Sequence, residues 1–206
     1  MPLPGQLSVA INTLWIVVLL NLGFGAMEAV GGFIADSQAL KADSLDFIGD
    51  GTITLVGLIA LGWTAAARAW IAMVQGVFLM TLGIGVIGAA LWRALGAVAP
   101  DASLMGGIGL AALLVNLISA FVLSRFREGD ANMRAVWLFS RNDALGNVAV
   151  ILAAGLVAWT GSAWPDLTVA ALIAGIFLHS AYEIVRGALN ELSEPVPTSD
   201  LPDARA

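Results

Sequence analysis

The chain has 206 residues, 59% of them hydrophobic and 12% charged, with a mean hydropathy of +0.91. These values lie outside the range of soluble globular domains and inside that of polytopic membrane proteins, so an all-α integral membrane protein is expected. The absence of cysteine excludes disulfides and thiolate metal sites, and a net charge of −6 with no basic cluster excludes nucleic acid as a partner.

Six windows are apolar enough, and at about 20 residues long enough, to cross a bilayer: 10–34, 40–63, 70–95, 104–124, 133–159 and 166–188. Short breaks rich in Gly, Pro, Ser, Asp and Arg separate them, leaving no room for a soluble domain between spans. The expected organisation is a six-helix membrane domain over 1–188 and a short acidic cytoplasmic tail over 189–206. With both ends cytoplasmic, the inner side carries Arg68, Arg125, Arg127, Arg134, Arg186 and Arg205 against Lys41 and Arg93 outside, which agrees with the positive-inside rule.

The first span has no Lys or Arg before it and an apolar run too long for a cleavable signal, so it reads as a retained helix. Its Glu28 either lines an exit path with Asp43 or snorkels to the interface. Asn21 in the same span reads as polar glue between helices.

The second span contains "KADSLDFIGDGTITLV", which puts Asp43, Asp46 and Asp50 at membrane depth. One such carboxylate costs at least about 2.5 to 3.5 kcal/mol on insertion scales, so three need partners, water or a cation. Spacings of three and four residues align them on one helical stripe. A cation site is the functional reading; a water-filled vestibule, or pairing with Lys41 and Arg141, is the structural one.

Gln75 and the glycines Gly83, Gly85 and Gly88 of the third span, and Asn116 and Ser119 of the fourth, read as helix-packing devices. The fifth span offers "FSRNDALGNVAV", with Asp143 and Asn147 four residues apart on one face. Oxygen ligands on two helices suit a divalent ion without cysteine. Like charges at close range disfavour double ionisation, so such a site trades protons for metal and loads less well in acid. Arg141 is expected in an ion pair, and Asn142 in a hydrogen bond between helices. On the sixth span, His179 is the chain's one histidine; metal ligation is the functional reading and a hydrogen-bonded packing role the expected one. Trp63, Trp70, Trp92, Trp159 and Trp164 mark interfaces.

Three tracts carry a family likeness: "MEAVGGFIADSQALKADSLDFIGD", "LLVNLISAFVLSRFREGDANMRAVWLFSRNDALGNVAVILAA" and "WPDLTVAALIAGIFLHSAYEIVRGALNELSE". Through them the chain resembles the cation diffusion facilitators over nearly all six spans. The resemblance implies a secondary transporter, not an enzyme, that exports a divalent cation in exchange for protons. Zinc is foremost, with cadmium, iron or manganese admitted. The ion is substrate, and no cofactor is expected. In that family the second span bears His or Asp followed four residues later by Asp, here Asp46 and Asp50. The fifth bears His-x-x-x-Asp, here Phe139 and Asp143, so one ligand is replaced by a side chain that cannot coordinate. The expected metal ligands are therefore Asp46, Asp50, Asp143 and Asn147, with Asp43 as gateway ligand or shifted fourth ligand. From the rise per residue, Asp43 lies at the height of Asn147.

Resemblance further implies a short form without the family's cytoplasmic C-terminal domain, a homodimer held by transmembrane contacts, and residence in a bacterial inner membrane. The other partners expected are the divalent ion, protons and the lipid bilayer. An intramembrane aspartyl enzyme is the rival reading, but "FIGD" matches only half of that family's Gly-x-Gly-Asp. A lipid transferase fails after "DGTIT", and a non-catalytic membrane subunit leaves the acid stripe unexplained.

Overall fold

The computed structural model describes residues 4–96, 98–124 and 131–193. Six helices run in sequence: α1 (Pro4–Ile34), α2 (Gln38–Ile59, continued by a 3-10 turn at Ala60–Gly62), α3 (Ala65–Ala94), α4 (Ala102–Leu123), α5 (Ala131–Thr160) and α6 (Trp164–Ser193). The fold is all-α among the described residues, and the six helices correspond to the six expected spans. The loop at 125–130, the tail from 194 onward with its Glu194, Asp200, Asp203 and Arg205, and the side chains of Arg134 and Phe139 lie outside the described set.

Among the described residues, five helices are long and apolar enough to cross a membrane. The exception, α2, fails on composition rather than length: its 22 residues reach about 33 Å. It carries Lys41, Asp43, Asp46 and Asp50. Large apolar side chains such as Leu19, Phe33, Leu91 and Phe121 point outward. In water such faces would drive aggregation, whereas in a bilayer they meet acyl chains. All five of the interface tryptophans are exposed and lie near helix ends.

The helices associate as three close pairs, α1 with α2, α4 with α5 and α3 with α6, and α2 touches every other helix. Small residues set these distances, because a span gains little from burying apolar surface that lipid would also cover. A Cβ added at Gly25 of α1 would lie 2.9 Å from that of Phe47 on α2, and one at Gly76 of α3 would lie 2.7 Å from Val185 on α6. Gly83 is similarly filled by Leu178, whereas Gly85 and Gly88 face open space and take no part in packing. Asn21 donates to the carbonyl of Val17 in its own helix (3.1 Å), not to a neighbour.

One rim of the bundle is stitched together. The α1–α2 turn passes through Asp36, whose φ of 55° is the left-handed conformation tolerated by Asp. Asp36 binds Arg93 at the end of α3, and Lys41 lies 3.8 Å from it. The Asp101 amide donates to the Ala35 carbonyl (2.9 Å), attaching the start of α4. Ser37 caps α2 by accepting from the Leu40 amide (3.1 Å) and donates to Asp166 of α6 (2.6 Å). Asp166 also accepts from the amides of Gln38 (2.9 Å) and Ala39 (3.0 Å), so a buried carboxylate sits on the positive end of α2.

Candidate metal centre

The acid stripe of α2 meets two environments along its length. Toward the C-terminal half of the helix, Asp46 and Asp50 line a cavity of about 500 Å3 between α2, α3, α5 and α6. Asp143 and Asn142 of α5 and His179 and Glu183 of α6 share its wall, with Phe177 and Leu79 as apolar sides. The carboxyl groups of Asp50 and Asp143 adjoin one another across the α2–α5 contact. All three aspartates of the cavity are partly accessible.

Toward the N-terminal end of α2 the stripe is sealed. Asp43 is 2% exposed and Asn147 is fully buried. Asn147 Nδ2 donates to Asp43 Oδ2 (2.6 Å), and Asn147 Oδ1 accepts from Asn116 Nδ2 (3.0 Å). The helical rise matched these two residues in height, and they meet across α2 and α5. The amide oxygen of Asn147 is thus engaged with α4, and neither Asn147 nor Asp43 is on the cavity wall. Glu28 of α1 is fully buried beside Asp43, which excludes the snorkelling alternative.

The structure therefore brings Asp46, Asp50 and Asp143 to one cavity and ties Asp43 and Asn147 together one helical turn away. Among the described residues, no group of three or more His, Asp and Glu side chains is arranged to hold a metal ion. The basic side chains among the described residues do not neutralise the stripe. Lys41 lies near Asp36 and over the Phe33 ring, 4.7 Å from its centre. Arg141 is exposed, stacks over Trp137 (5.3 Å) and reaches Asn142 (3.4 Å). The expected pairing of Arg141 with an acid is replaced by this stacking.

His179 departs most from expectation. It is exposed on the cavity wall instead of packed between helices, so an imidazole shares the space with the three aspartates. Its i, i+4 spacing from Glu183 was legible in the sequence and places both on one face of α6. What was not legible was that α6 packs against α2 and α5 as well as α3.

Comparison with known proteins agrees with this architecture. The chain is 30% identical to the zinc transporter ZitB of Escherichia coli (strain K12) over 86% of its own length and 61% of that protein. It is 27% identical to the cadmium, cobalt and zinc/H(+)-K(+) antiporter of Bacillus subtilis (strain 168), over 90% of this chain and 64% of the antiporter. It is 28% identical to the metal cation efflux system protein CzcD of Cupriavidus metallidurans, over 90% and 63% respectively. The chain spans a little over three fifths of the length of these curated relatives. Residues 65–193 match the Cation efflux transmembrane domain, and the chain belongs to that family, the cation diffusion facilitators.

Proposed function

We propose that this chain carries a divalent metal cation out of the cytoplasm, in exchange for protons, through the cavity that Asp46, Asp50 and Asp143 line. The observation that carries the reading is the adjoining pair Asp50 and Asp143 at membrane depth, with no basic side chain against them among the described residues. Two carboxyls in contact in a low-dielectric core keep either a cation or a proton between them, which makes the two species competitors for one place. An incoming ion draws Asp46, Asp50 and Asp143 inward, and its departure leaves room for protons. Asn147 would reach the ion only by releasing Asn116 and Asp43, so Asp43 acts as the later ligand along the path and Asn147 positions it.

The oxygen-rich wall favours manganese or ferrous iron more than an imidazole-rich site would, while His179 on the same wall keeps zinc and cadmium in range. The relatives' names support zinc, cadmium and cobalt as the starting set. A bacterial inner membrane is the proposed location, with two copies side by side through their exposed apolar helix faces.

Reconstitution tests the proposal. Proteoliposomes holding the protein and a pH-sensitive dye should take up zinc with simultaneous proton release from the lumen, and acidifying the metal-loading side should slow uptake. Asp50→Asn and Asp143→Asn should each lower uptake at least about tenfold, the loss of roughly 1.4 kcal/mol or more of binding or transition-state stabilisation. Undiminished uptake in either variant rejects the site, and uptake without proton flux rejects the exchange.

A further inference from the structure

Beyond the cavity, the α2 stripe continues into a part of the core that solvent does not reach. Glu28 is 0% exposed and Asp43 2%, and their carboxyl groups adjoin. Neither oxygen of Glu28 has a hydrogen-bond partner, and the equally buried Oδ1 of Asn116 has none either. The nearby amide donors are already engaged: Asn116 Nδ2 with Asn147 Oδ1, and Asn147 Nδ2 with Asp43 Oδ2. Lys41, on the same helix as Asp43, is turned to Asp36, as is Arg93.

Buried acceptors without donors are rare in folded proteins; the two carboxyls adjoin, and Asn116 is joined to Asp43 through Asn147, so the group points to a positive species that belongs among them. One proton shared by the two carboxyls would leave a net negative charge in a dry core and the Asn116 oxygen unmet. A divalent cation offsets both charges and has a use for a neutral carbonyl oxygen, which oxygen-liganded sites commonly include.

We propose that Glu28, Asp43 and the Asn116 carbonyl form a second divalent-cation station, one helical turn beyond the cavity, with Asn147 aligning Asp43. Its ligands are all hard oxygens, so it accepts manganese-like ions as readily as zinc. Asp46, about 4.5 Å along α2 from Asp43, borders both stations and offers an oxygen for transfer between them. The inference builds on the cavity as a metal site but is independent of transport direction and proton coupling.

Manganese alone is the probe. The full chain in lipid nanodiscs is titrated with Mn2+ and free ion is counted by its paramagnetic resonance. The wild type should bind two equivalents, the Asp50→Asn/Asp143→Asn double variant one, Glu28→Gln one, and the triple variant none. Retention of two equivalents by Glu28→Gln, or a single wild-type equivalent that the double variant abolishes, overturns the second station. A double variant that still binds two equivalents instead overturns the cavity reading. Should Glu28→Gln bind no ion at all, Asn116→Leu decides: one equivalent supports the station and two overturns it.

Discussion

Asp166 and Glu28 are both carboxylates with no exposed surface, yet their surroundings are opposite. Asp166 accepts from the Ser37 hydroxyl and from the amides of Gln38 and Ala39, at the positive end of a helix. Glu28 accepts from no donor and adjoins another acid. Burial alone therefore does not identify a working residue. A buried charge whose lone pairs are met holds the fold together, and one whose lone pairs are unmet waits for a ligand.

The largest effect that sharpens this contrast is on stability. Asp166→Ala orphans two backbone donors and removes a capping anion, which should cost about 3 to 5 kcal/mol. At this chain length that lowers Tm by about 10 °C, readable from thermal unfolding in detergent. Glu28→Gln, which replaces an unmet charge by an amide, should leave Tm unchanged or raise it. The contrast breaks if the two variants melt alike. Of intermediate size is Asn147→Leu, which strips Asn116 of its acceptor and Asp43 of its donor. A loss of about 1 to 3 kcal/mol is expected, with weakened metal uptake because Asp43 is no longer aligned.

The smallest effect lies at the start of α4. Asp101, fully exposed, is held below the usual carboxylate range by the Leu104 amide and by the Ser103 hydroxyl and amide. A lowered carboxylate contributes stability above its unfolded value of about 3.9, and that contribution fades as pH falls through the folded value. Protection against hydrogen exchange in the first turn of α4, taken relative to the intrinsic rate at each pH, should therefore fall between pH 5 and pH 3, and Asp101→Asn should flatten that dependence. An equal pH response in the variant assigns the change to another group.

Much of the fold was legible because membrane spans leave a strong imprint: six apolar windows correspond to six helices, though α6 runs five residues past its expected end. The stripe Asp43, Asp46 and Asp50 was legible from helical spacing, as was the level match of Asp43 with Asn147. What the spacing did not reveal is how neighbouring helices divide that stripe between a cavity and a sealed core, since this depends on which faces α1 and α6 turn inward. His179 and Glu28 were ambiguous for that reason. Asn116 was read correctly as glue between helices, whereas Asn21, of the same chemistry, satisfies itself on its own backbone.

The turn between the first two helices is fastened to three others at once, by Arg93, by the Asp101 amide and by Asp166. Such a knot acts as a clasp: separating the helices at that rim means undoing several bonds together, so exposure of the interior on that face is an all-or-none event. If the proposed transport holds, a bundle clasped this way would let its contents leave in discrete steps rather than seep continuously.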